Sequence, residues 1–186
     1  MWMKKRINKR REPSLGAPFL CTANSKGGRE IKTYKLFRVK AGRLYPLFVE
    51  AGRELPLNVW LKAHVGELAD EKHVKSRLGV LSLRPGWHSC SVPFTDWIGK
   101  RSAEGTLVQR KDTVWAECEV EGPEQTVQDR NGLRVLPSDW YFFRTKAKQP
   151  FPWIISNKIK INRILTHAEV KEICQEHGVE AQEMEV

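Results

Sequence analysis

Eleven consecutive residues, Leu83-Arg84-Pro85-Gly86-Trp87-His88-Ser89-Cys90-Ser91-Val92-Pro93, hold a cation, an indole, an imidazole, two hydroxyls and a thiol. A guanidinium presents a fork that suits a diphosphate, an indole stacks on a flat ring, and an imidazole moves protons near neutral pH. Pro85-Gly86 predicts a type II turn, because proline presets φ at the second position and glycine accepts positive φ at the third. Residues 87–92 alternate, which predicts a short strand whose two sides carry different chemistry. A turn feeding such a strand places reactive groups at the mouth of a pocket. It equally describes a hairpin corner with a packed indole. Under the first description His88 is the candidate catalytic imidazole, with Arg84 and Trp87 as ligand contacts.

Carboxylates that could serve as partners occur at 112–121, the cleanest strand pattern in the chain. Val114, Ala116, Cys118 and Val120 form an apolar face, and Trp115, Glu117, Glu119 and Glu121 share the other. Three acids in a row on one face of a basic protein predict cross-strand pairing with Lys or Arg, each pair contributing under about 1 kcal/mol. The alternative has Glu117 or Glu119 line a pocket as a general acid or base.

The elements that must position these groups form a hairpin-rich pattern. Residues 30–39 alternate, with Ile31, Thr33, Lys35, Phe37 and Val39 on one side. A turn at 40–43 leads to a second strand over 44–49. Asn58 caps a short amphipathic stretch over 59–65 or precedes a strand there, and the mixed-charge 67–77 reads as an exposed loop or short helix. His64 and His73 have no partner at ligand spacing and read as surface residues. Further strands are expected at 133–136, 139–145, 153–156 and 158–164. Thr166 with Glu169 forms a capping box ahead of a helix that Gly178 stops. The sum is α+β: a single domain with a hairpin-rich antiparallel or mixed sheet and a C-terminal helix. No Walker loop, dinucleotide glycine fingerprint, zinc pattern or nucleophile elbow is present.

The chain is long enough, at 186 residues, for one domain with a substantial core. It carries a formal net charge of +10, which favours an anionic partner: a nucleotide, a nucleic acid or an acidic protein surface. The charge is uneven. Lys4, Lys5, Arg6, Lys9, Arg10 and Arg11 precede the first acid, so residues 1–30 read as a flexible basic arm able to contact nucleic-acid phosphates. Residues 31–178 are the α+β domain. Residues 179–186 close the chain as an acidic tail, fraying beyond Glu180. Four widely spaced cysteines without a Cys-x-x-Cys pair suit reduced thiols, and no apolar run approaches the roughly 18 residues that span a bilayer. A cytoplasmic protein with no membrane association is the expectation.

From Tyr34 to Gly178 the order of pieces resembles the ADP-ribosyltransferase superfold, in its compact, NAD-consuming and phage-borne branches. Leu36-Phe37-Arg38-Val39 is similar to that family's opening strand, and Gly86-Trp87-His88-Ser89-Cys90-Ser91 to the strand that shapes its nicotinamide pocket. The resemblance implies NAD as ligand, Arg38 as its phosphate contact, and His88 with Ser89 or Ser91 as pocket residues. The family's catalytic strand presents a glutamate, whereas Phe151-Pro152-Trp153-Ile154-Ile155-Ser156 has none. The resemblance therefore implies an acid from elsewhere, Glu117 or Glu119, or an inactive domain. The combination with Val-Trp-Ala-Glu-Cys-Glu-Val and Lys-Ile-Asn-Arg-Ile-Leu also looks like modules carried by phages and mobile elements. That likeness implies an accessory protein acting in the host cytoplasm on host or phage proteins. Two other classes stand beside it: a non-enzymatic module for nucleic acid, with Trp140, Tyr141, Phe142, Phe143 and Trp153 interleaved with cations, and a small virion or assembly protein.

Overall fold

The computed structural model of the chain describes residues 21–23, 29–147 and 149–185. The cations from Lys4 to Arg11 lie outside the described residues. The first half of the chain contributes β1 (Cys21–Ala23), β2 (Arg29–Lys40), β3 (Arg43–Tyr45), β4 (Trp60–Lys62), β5 (Leu68–Asp70), β6 (His73–Ser76), β7 (Gly79–Ser82) and β8 (Trp87–Cys90). The second half adds β9 (Lys100–Arg101), β10 (Leu107–Val108), β11 (Thr113–Val120), β12 (Trp140–Phe143), β13 (Trp153–Ser156), β14 (Lys158–Ile164) and α1 (His167–Glu176).

β2 is the spine. Its Ile31, Thr33 and Phe37 are buried on one face and its Tyr34 and Leu36 on the other, so the strand is covered on both sides. Around it the main sheet runs β12-β13-β8-β2-β11-β14-β4, with β1 and β3 also pairing with β2. Every ladder of this sheet is antiparallel. One face packs Phe37, Ala116, Cys118, Ile154, Ile159 and Ile161 together with the indoles of Trp87 and Trp140. The opposite face gathers Tyr34, Leu36, Trp115 and Leu165 under α1, which docks through Val170 and Cys174. The expected α+β domain with an antiparallel sheet and a C-terminal helix is what the chain forms.

Thr166 caps α1 as anticipated: its hydroxyl accepts from the Glu169 N–H, and the Glu169 carboxylate accepts from the Thr166 N–H at 2.8 Å. Three segments differ from expectation. The strand begun at 44–49 ends at Tyr45, because Pro46 has no N–H to give a ladder. The strand expected at 133–136 does not form, while 59–65, open between helix and strand in the sequence, supplies β4. The polar 67–77 builds most of a separate three-stranded sheet, β5-β6-β7. Its first turn has no glycine or asparagine, and the Asp70 carboxylate takes over, accepting from the Lys72 N–H at 2.7 Å. The acidic end does not fray after Glu180. Ala181 is buried, and the Gln109 backbone exchanges hydrogen bonds with Glu183 and Glu185, both at 2.8 Å.

Candidate functional site

β2 and β8 share a single ladder pair, Tyr34↔Cys90. From there they part. β8 continues alongside β13, from Trp153↔Cys90 to Ser156↔Trp87, while β2 continues alongside β11 to Arg38↔Thr113. The fork opens a cavity of about 380 Å³, within the size range of small-molecule sites. Lys35 and Leu36 line it from β2, Trp87 and His88 from β8, and Trp115 and Trp153 from the strands behind. Arg84, Pro85 and Gly86 also line it, with a bend at Gly86 where the sequence predicts a type II turn, as do Glu50, Arg53 and His64. Gly86 adopts φ 133°, and a Cβ there would sit 2.6 Å from the Ile155 Cγ2 methyl, so both conformation and space require glycine.

The indole of Trp87 is fixed by its own N–H, which donates to the Leu61 carbonyl at 2.9 Å. Two cations approach this ring: the Lys35 ammonium at 5.6 Å and the Arg53 guanidinium at 5.8 Å from its centre. Lys35 Nζ donates to the His88 carbonyl at 2.7 Å. Desolvation brings the lysine down to about 8. His88 donates from Nε2 to the Arg84 carbonyl at 2.9 Å, which sets the tautomer and leaves Nδ1 as an acceptor. Burial, with Lys35 and Arg84 nearby, pulls His88 down to about 4, so the imidazole is neutral across the physiological range. Cys90 also lines the cavity, but burial pushes its thiol up to about 12 and it holds its proton.

Arg84 lies 3.8 Å above the Phe143 ring and donates from Nε to the Asn131 carbonyl at 3.0 Å. Burial lowers its pKa. Among the described residues neither Arg84 nor Lys35 forms an ion pair. Among the described residues the one carboxylate on the cavity wall is Glu50, which meets His64 Nδ1 at 2.8 Å and Arg53 at 3.3 Å. Glu50 has φ 51°, a left-handed conformation that a side-chain-bearing residue seldom takes, and such strain gathers at functional sites.

The residues singled out in sequence divide. Arg84, Trp87 and His88 come together on the cavity wall. Ser89 shares the side of β8 that carries Trp87, opposite His88 and Cys90, but is buried outside the wall, where its hydroxyl donates to the Ile154 carbonyl at 3.2 Å. Ser91 is half-buried beyond the end of β8 and outside the wall. Arg38 is also outside it: the guanidinium donates to the Ala51 carbonyl and lies 5.4 Å from the Tyr45 ring, held by β3 and the turn after it. Glu117 pairs with Lys32 at 2.8 Å and Arg163 at 3.3 Å, and Glu119 pairs with Lys160, all away from the cavity.

Lys35, Glu50, Arg53 and His64, the ionisable groups that bring charge or a proton site to the wall beside Arg84 and His88, were not singled out in sequence. Lys35 had a legible signal, since it interrupts an otherwise apolar strand face between Thr33 and Phe37. Glu50 and His64 are 14 residues apart in sequence and meet only because the turn at 50–53 faces the segment that follows β4. Among the described residues no cluster of three potential metal ligands occurs, and no helix is long and apolar enough to cross a membrane. Comparison of the chain with family models, curated proteins and solved structures finds no match.

Proposed function

We propose that the protein is a nucleotide-binding domain of ADP-ribosyltransferase-like character, with NAD as its candidate ligand and the fork between β2 and β8 as its site. The observation that carries this reading is the wall itself: Lys35 stands beside the Trp87 indole and Arg84 over the Phe143 ring, and neither cation has a carboxylate partner among the described residues. A flat heterocycle suits Trp87 and Trp153, and phosphate charge suits the cations. The neutral His88 offers Nδ1 to an N–H of the ligand. NAD would supply the glycosidic bond whose cleavage leaves positive charge on the ribose. Glu50 is the residue suited to face that charge, because it is the acid of the wall and Arg53 and His64 hold its two oxygens in place.

This assignment replaces Glu117 and Glu119, which lie outside the cavity wall and pair with Lys32, Lys160 and Arg163. The alternative of a nucleic-acid module rests on the cations from Lys4 to Arg11, since Lys158, Lys160 and Arg163 on the sheet are each ion-paired.

Incubation with NAD labelled in the nicotinamide ring tests the proposal. Wild type is expected to bind NAD and release label. Glu50→Gln is expected to bind comparably and lose release by roughly a hundredfold, the scale of one electrostatic group in a transition state. Absence of binding to wild type, or undiminished release by Glu50→Gln, would overturn it.

A further inference from the structure

Lys35 is the most anomalous group in the domain. It occupies the centre of the apolar face of β2, with Phe37 and Trp87 each 5.6 Å from its ammonium. An ammonium has three donors, and one goes to the His88 carbonyl at 2.7 Å. No carboxylate of the described residues lies within ion-pair reach, and Glu50, the acid of the same wall, is occupied by Arg53 and His64. The other titratable groups facing Lys35 do not answer it. Cys90 and Cys118 are thiols held up at about 12, and His88 is a neutral imidazole. The remaining charges around the fork, Arg53 beside Trp87 and Arg84 beside His88, are themselves positive.

A part-buried cation among rings and thiols without a counter-ion is destabilising on its own and is relieved by an anion. We propose that Lys35 is the anion receptor of this cavity, taking a phosphate of the bound nucleotide as its counter-ion on the donors that His88 leaves free. The inference rests on the nucleotide reading and names the atom that reads the phosphate, in place of Arg38. Desolvation holds Lys35 near 8 without ligand, and an anion beside it favours the charged form. Binding at pH 8.5 therefore takes up a proton, and affinity falls about tenfold per pH unit above 8 until the bound lysine itself titrates.

Calorimetry with AMP, adenosine and inorganic pyrophosphate on the full chain tests this. Wild type is expected to bind AMP at least about tenfold more tightly than adenosine, with proton uptake visible as a buffer-dependent heat at pH 8.5. Lys35→Met is expected to close the gap while keeping its affinity for adenosine. A gap that survives in folded Lys35→Met overturns the inference and leaves nucleotide binding intact. If neither AMP nor adenosine binds, the nucleotide reading fails, and pyrophosphate decides the receptor separately: binding lost in Lys35→Met supports it, and no binding overturns it. A measurement without substitution guards against a misfolded variant. The Lys35 Cε resonance of lysine-labelled protein is expected to titrate near 8 alone and at least one pH unit higher with pyrophosphate, and an unmoved midpoint overturns the proposal.

Discussion

Two regions of this domain carry cations beside β2, and they treat them in opposite ways. Where β11 runs between β2 and β14, each acid of the row meets a base: Glu117 takes Lys32 and Arg163, Glu119 takes Lys160, and Glu121 takes Lys158. On the other flank of β2, where β8 splits away, Lys35 and Arg84 have carbonyls and aromatic rings for neighbours. The first region is closed on itself. The second is a positive wall with an open space in front of it. Charge balance, and not the count of cations, thus separates a structural surface from a candidate site: the row at 117–121 is conspicuous in sequence and satisfied in structure, whereas a single lysine is inconspicuous and unsatisfied.

The largest expected effect follows from the unsatisfied cation. The shift of Lys35 from its ordinary value of 10.5 to about 8 corresponds to about 3 kcal/mol of destabilisation at pH 7. Lys35→Met removes that penalty and loses one hydrogen bond of about 1 kcal/mol, so a net gain of about 2 kcal/mol is expected in urea unfolding. The sign with pH is specific. Because the folded value is depressed, the unfolded chain binds more protons between 8 and 10.5, and wild type gains stability as pH rises through that window. The advantage of Lys35→Met therefore shrinks above pH 8. Cys90 and Cys118 act in the opposite sense above 9 in both proteins and cancel in the difference. A loss of stability in Lys35→Met at pH 7 would show that the cavity cation is paired after all.

A middle-sized effect concerns His88, which faces the same wall. Its folded value of about 4 lies below the ordinary 6.5, so the unfolded chain binds the extra proton between those limits and stability drains as pH falls below about 6.5. From pH 7 to 5.5 the loss from this group is about 1 kcal/mol. His88→Phe is expected to lack that component, so its unfolding free energy declines less than wild type over the same interval. Equal declines would mean that His88 is solvated and not part of an enclosed wall.

Much of the scaffold was legible in sequence, and the reasons are local. Alternation at 112–121 and 158–164 fixes which side chains go inward, and the capping box at Thr166 and Glu169 marks where α1 begins. Arg84, Trp87 and His88 meet on one wall because they are close in the chain, around a bend where Gly86 takes the positive φ that glycine tolerates. What stayed hidden depends on contacts across the fold. Nothing near Arg38 in the sequence shows that β3 and its turn will engage it. Nothing near Glu50 foretells its left-handed backbone or its meeting with His64. The fork itself arises because β8 shares one pair with β2 and the rest of its register with β13, a choice made by partners far apart in the chain. The one available clue was a lysine in an apolar row, a local rule broken without a local reason.

The smallest expected effect comes from the closed region and sharpens the contrast with Lys35. Glu121 and Lys158 approach to 2.9 Å with side chains 37% and 41% exposed, so water and salt screen them and holding two long side chains in one geometry costs entropy. A double-mutant cycle of Glu121→Gln and Lys158→Met is expected to give a coupling of about 0.5 kcal/mol in 50 mM salt and close to zero in 1 M salt. Removing Lys158 thus slightly destabilises, while removing Lys35 stabilises, although both are lysines on strands of one sheet, with only β11 between them. The two substitutions differ in sign because Lys158 loses a partner it has and Lys35 sheds a desolvation penalty that no partner offsets. A coupling above about 2 kcal/mol for the Glu121 pair would place it among enclosed charges, and the distinction between the two flanks of β2 would no longer hold.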